Sequence, residues 1–367
     1  MKLRIHKALG DLLVACLILI IGLTTGCTCK VAPQESPGGF IDFLSVVPVL
    51  AAFSTSVQLN DYKKAREQLG LELPSVTDSA DDIVAYVTAL QAGGVWTPAP
   101  DYLPGWEDMW GYNLLGVDRD IQAGVFTISP TRIILGEFDV SKVEFALESQ
   151  DYIQQSYLGY PLFSWGEDLE EREGDLHGSE NKRRIAVAPH YLVMSDVMDK
   201  VKRTLEVIGN VEDSLAGNVD FIALARSMNE SGAYSVFLSD EIVSLDEVIE
   251  RFDLNAEQKL EISRYALQEY RAWGLGISRH KGQYTLHIFS CYDNDLAAIE
   301  NAQTLIGRLE NGRSLIRRDS PPWTDYFSTI KVFAEGRVVH AKMIVESARS
   351  WIDMLYSEEF HLILAYE

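Results

Sequence analysis

The chain has 367 residues, 47% of them hydrophobic, and carries 54 acidic against 32 basic side chains for a net charge of −22. That length suits one large domain or two modest ones. The charge argues against binding nucleic acid, whose phosphates require basic patches, and against a protein that lies flat on anionic lipid.

Lys2, Arg4 and Lys7 make a basic head without an acid, and the apolar run Leu12–Leu23 follows. Thr24, Thr25 and the pair Gly26-Cys27 close the segment. A basic head, a short apolar core and a small-residue exit read as a signal peptide over 1–26. The core is well short of the roughly 20 residues that span a bilayer, so a permanent transmembrane anchor is the weaker reading. Leu23-Thr24-Thr25-Gly26-Cys27 resembles the bacterial lipoprotein signal, with Thr24 standing where that family carries leucine. The resemblance implies cleavage before Cys27, acylation of Cys27, and an extracytoplasmic protein whose membrane contact is the N-terminal lipid. Each buried CH₂ of such chains contributes about 0.8 kcal/mol.

Residues 27–40 are polar, with Pro and Gly, and read as a flexible leader. Residues 41–118 read as a mainly helical segment. Within it, 41–56 is an apolar run that periodicity leaves open between helix and strand. Asn60 is the expected cap of a helix ending at Gly70, and Asp78 or Ser79 caps a second. Trp96, Tyr102, Trp106, Trp110 and Tyr112 then cluster among Pro and Gly.

From residue 119 a hairpin-then-helix order begins. Gln122–Ile128 and Arg132–Phe138 read as strands about the turn Ser129-Pro130-Thr131, and Asp139 or Ser141 caps a helix. The order recurs with strands at 185–188 and 191–194 and a helix from Ser195 or Asp196. Pro130 and Pro189 are offset by 59, and Lys142-Val143 and Lys200-Val201 by 58. Third and fourth units fit 271–309 and 325–356, and His361–Tyr366 reads as a closing strand. Tight turns force antiparallel pairing. The expected fold is therefore α+β: hairpin-plus-helix units, antiparallel sheets, helices packed on one face, and two related halves at 119–240 and 271–367. A helical connector, 241–270, lies between them, with Asn255 capping Ala256–Tyr270. Tyr157–Trp165, Tyr191-Leu192-Val193 and Ser214–Phe221 are similar to a loose pattern in uncharacterised exported bacterial proteins, a resemblance that implies no activity.

The common catalytic and nucleotide-binding motifs are missing, and no cofactor is implied. His287 and His340 fall in expected strands of the second half and could approach each other, with a surface position the expectation for each. Asp293 and Asp295 lack the central glycine of a calcium loop, and one of them is expected to cap the next helix. The acidic run Glu167–Glu180 reads as a solvated loop. Four cysteines give no disulfide framework and no metal spacing, and Cys29 and Cys291 are expected unpaired. The aromatic cluster 96–112 could stack on a ligand or pack the helical part onto the sheet. The sequence thus points to a tethered protein with a binding or structural role towards a protein, peptide or envelope component. The competing readings are a hydrolase of envelope material and a solute-binding lipoprotein, the latter disfavoured because its lobes use parallel sheets.

Overall fold

Among the described residues, the alternating apolar runs of the body become twelve strands of a single sheet. A computed structural model describes residues 39–49, 56–75, 78–95, 97, 105–125, 127, 129–169, 183–315 and 321–367. The signal segment, Cys27 and Cys29 lie outside the described residues, and Gly39–Glu367 make one compact unit. The strands are β1 (Ser56–Asp61), β2 (Val117–Ala123), β3 (Thr131–Gly136), β4 (Ile153–Tyr157), β5 (Tyr160–Ser164), β6 (Arg184–Ala188), β7 (Tyr191–Ser195), β8 (Ser235–Ser239), β9 (Ala272–His280), β10 (Gln283–Cys291), β11 (Thr329–Glu335) and β12 (Val338–Val345). Their order is β11-β12-β10-β9-β8-β1-β2-β3-β7-β6-β5-β4, with all neighbours antiparallel. The two expected halves share this sheet, and β1 and β8 join them at its centre.

The helices are α1 (Phe40–Leu44), α2 (Tyr62–Leu69), α3 (Ala80–Ala92), α4 (Trp106–Trp110), α5 (Val140–Glu148), α6 (Met198–Ile208), α7 (Val219–Ser231), α8 (Leu245–Arg251), α9 (Ala256–Ser263), α10 (Asp295–Asn311), α11 (Trp323–Tyr326), α12 (Arg349–Tyr356) and α13 (Phe360–Leu364). Side chains alternate across each strand. Val57, Leu59, Ile121, Ile133, Val193 and Val236 therefore face one core with α1, α6 and α7. Ile134, Leu192, Phe237 and Leu275 face the other, with α3, α4, α5, α10, α12 and α13. The placement on one face holds unit by unit but not for the sheet. The helix after β2–β3 lies on one side and the helix after β6–β7 on the other, so the repeat recurs in order and not in position.

Local signals set most element ends. Ser79 caps α3 in a reciprocal capping box with Asp82, and Asn255 does the same for α9 with Gln258. Asp139 caps α5, and Gly70 ends α2 in the left-handed region at φ 70°. Elsewhere tertiary partners override the local reading. Asn60 is not a cap: it is a buried residue of β1 bonded to Ser235, and Asp61 caps α2 instead. Asn294, between the two expected aspartates, caps α10, while Asp293 pairs with Arg271 at 2.6 Å. The first hairpin strand is shifted to Val117–Ala123, because Asp120 belongs in the sheet, where Arg132 holds it through two 3.0 Å bonds. Helix α9 stops at Ser263, short of the expected Tyr270. The closing segment is helix α13 rather than a strand. It is buried all round, so its apolar run carries no period to read. Arg308 fixes its end by donating to the carbonyls of Ile363 and Ala365 at 2.8 and 2.9 Å.

Candidate functional site

The aromatic cluster is not a surface patch among the described residues. Trp106, Trp110 and Tyr112 are 6%, 3% and 3% exposed. Trp106 meets Tyr112 edge-on at 5.9 Å, and Tyr112 meets Phe138 edge-on at 5.5 Å. The three rings seat α4 against α5, and burying such large apolar surfaces outweighs any gain from leaving them exposed. Trp96 and Tyr102 lie outside the described residues, as does most of the acidic run. At that run's start, buried Arg184 holds Asp168 at 2.8 Å and donates to the carbonyls of Trp165 and Gly166.

One open feature among the described residues is the sheet edge at β4. Strands β4 and β5 form a hairpin across Leu158-Gly159, both at positive φ (52° and 83°), as a two-residue primed turn requires. Such a turn makes Tyr157–Tyr160 a hydrogen-bonded pair, and alternation does the same for Gln155–Leu162 and Ile153–Ser164. The N–H and C=O groups of Gln154 and Ser156 therefore point away from β5. No described strand pairs with them. Ile153 to Ser156 are all exposed, Ile153 by 70%. The strand holds no charge and no proline, the two usual guards of a free edge.

Acids flank this edge on both faces. On one side Gln154 donates to Glu144 at 3.1 Å, and Asp151 precedes the strand. On the other the Tyr157 hydroxyl donates to Glu206, a bond that raises the phenol's pKa, with Asp199 adding to the shift. Lys202 lies over the Tyr157 ring at 5.2 Å. Such an edge can accept a further strand through main-chain hydrogen bonds. Its acidic flanks favour a strand bearing positive charge and oppose a second copy of the same edge.

The expected approach of His287 and His340 is real, but their surface position is not. His287 Nδ1 lies 3.0 Å from His340 Nε2, and its Nε2 lies 2.8 Å from Ser278 Oγ. They are 1% and 5% exposed. Burial, then nearby Lys342 and Lys64, lowers the His287 pKa to about 3; burial, His287 and Lys342 lower that of His340 to about 2. The register places both rings on the face that α7 covers, a contact sequence spacing cannot reveal. Ser278 is the closed end of the line, itself 7% exposed, and does not face solvent. Cys291 is a free, buried thiol whose pKa burial pushes up to about 12, a state unsuited to nucleophilic chemistry. Among the described residues no group of three His, Cys, Asp or Glu side chains could hold a metal, and no helix is long and apolar enough to cross a membrane.

Fold and site together define a mixed α+β protein built on one antiparallel sheet with an unguarded edge. No protein family and no curated protein sequence matches the chain. Among solved structures it is similar to TP0453 in crystal form III, at 11% identity and a TM-score of 0.41 over 88% of this chain and 100% of that one. It is similar to crystal form I of the same protein at 10% identity and a TM-score of 0.39, over 86% of this chain and 96% of that one.

Proposed function

We propose that the protein is exported, anchored through an acylated Cys27, and binds an extended, positively charged polypeptide segment by strand addition at β4. The observation that carries the binding reading is the edge itself: an exposed, uncharged strand whose outward Gln154 and Ser156 main-chain groups are unpaired among the described residues. The acidic flanks select a cationic partner, and a lipid tether would hold the site at the membrane surface.

The binding test uses a ten-residue peptide of alternating valine and lysine, with a valine–glutamate peptide as control. The first binds and the second does not. Ser156→Pro removes one outward N–H at a position where an edge strand tolerates proline, and it abolishes binding without unfolding the protein. Equal binding of both peptides, or undiminished binding to a folded Ser156→Pro variant, contradicts the reading. For the anchor, mass spectrometry of membrane-extracted protein should find an N-terminal peptide beginning at acylated Cys27. A peptide that reads through residues before Cys27 contradicts it.

A further inference from the structure

At the opposite end of the sheet, α7 leans over β12 and leaves a cleft of about 190 Å³ against β11. Its wall is Ser227, Glu230 and Ser231 from one face of α7, with Phe333 and Glu335 of β11 and His340 and Lys342 of β12. Gly274 lets the helix come this close, since a Cβ there would collide with Met228 and lie 2.8 Å from the Phe237 carbonyl. The space is smaller than the roughly 300–1,000 Å³ of drug-sized pockets.

His340 projects into this cleft from a buried position. Its ring lies between Phe289 at 4.1 Å and Phe333 at 5.0 Å, and its Nε2 faces His287. Its Nδ1 has no partner among the described residues. The hydroxyl hydrogen of Ser278 has no acceptor there other than His287 Nε2. In the tautomers where Ser278 donates to His287 Nε2, His287 donates from Nδ1 to His340 Nε2, and His340 presents Nδ1–H as a donor to the cleft.

The charges beside it are arranged in the same sense. Lys342 faces Lys331 directly across the strands, a like-charged pair that is costly unless an anion lies near. Lys342 sits over Phe333 at 5.3 Å and forms no ion pair among the described residues. Neither Glu230 nor Glu335 forms one either. Three charged groups therefore line one small cleft without neutralising one another, the cation beside the His340 donor and the acids on the facing helix and the neighbouring strand.

We propose that this cleft binds a small zwitterion of amino-acid size. Its carboxylate meets His340 Nδ1–H and the Lys342 ammonium, and its ammonium group meets Glu230 and Glu335. The site is independent of the β4 edge.

Ligand-observed saturation-transfer NMR on the mature protein tests this with free glycine, L-alanine, L-serine, L-aspartate and L-lysine. Acetate, methylammonium and inorganic phosphate are the single-charge controls. At least one amino acid binds with Kd below about 1 mM and the controls do not. Lys342→Gln and Glu230→Gln each weaken it by about tenfold or more, while Lys281→Gln, at the tip of the β9–β10 hairpin, leaves it unchanged. Absence of binding by every amino acid overturns the proposal. So does binding of acetate or phosphate as tight as that of the amino acids, or indifference of folded Lys342→Gln and Glu230→Gln proteins.

Discussion

The two ends of the sheet expose their edges differently. At the β11 end, Ile330, Val332 and Ala334 turn inward onto the core beneath α10, while Lys331 and Glu335 place charges on the outward face. At the β4 end, four successive residues are exposed and none is charged. Charge and a covering helix are how a sheet end avoids unwanted pairing. The β11 strand carries charged residues of its own and the β4 strand carries none, so β4 is the less guarded of the two edges. The buried chemistry is divided as well. The β9–β12 end holds neutral, enclosed histidines, whereas the groups around β4 are solvated carboxylates.

Acid should separate the two ends of the sheet most strongly. His287, His340 and His361 have folded pKa values of about 3, 2 and 3, lowered first by burial in each case. Below pH 6.5 the unfolded chain takes up protons that the folded chain refuses. Their stabilisation is therefore complete above pH 6.5 and is lost as pH falls towards 3, at up to about 1.4 kcal/mol per pH unit for each histidine. All three pack in or against β9, β10 and β12. Hydrogen exchange at pH 4.5 should show β9–β12 opening before β2–β7, and simultaneous opening would contradict the division.

Arg132→Met attacks the centre, leaving the Asp120 carboxylate buried without its partner. The expected loss is about 3–5 kcal/mol in chemical denaturation. Because β2 and β3 continue into both ends, a single transition should persist. Two transitions would mean that the halves fold separately. The smallest effect on stability belongs to Ile153→Lys, where a side chain 70% exposed on β4 gives way to a charge. Thermal unfolding should move by less than about 0.5 kcal/mol, yet binding of the valine–lysine peptide should fall, since the edge then carries the guard it lacks.

The hairpin-plus-helix units were legible because their determinants are local: turns at Pro130 and Pro189, and caps at Asp139, Ser79 and Asn255. The central strands were not. β1 pairs with β2 and β8, which lie far along the chain, and Asn60 reads as a cap until Ser235 is known to be its partner. The candidate site was less legible still. Tyr157–Trp165 stood out only as a segment resembling other exported proteins, and nothing local marks its first strand as a sheet edge. Trp106, Trp110 and Tyr112 have the composition of a binding patch, but only their packing against α5 and Phe138 decides that they are core. The approach of His287 and His340 followed from their strands; their burial depended on α7, which Gly274 admits.

Amide hydrogen exchange at Gln154, Gln155 and Ser156 tests whether β4 is a free edge that takes a strand. Without peptide, Gln155 should be protected by β5 while Gln154 and Ser156 exchange freely. With the valine–lysine peptide, Gln154 and Ser156 should become protected and β11 should not change. Equal protection of all three residues before the peptide is added, or no change after it, would contradict the account.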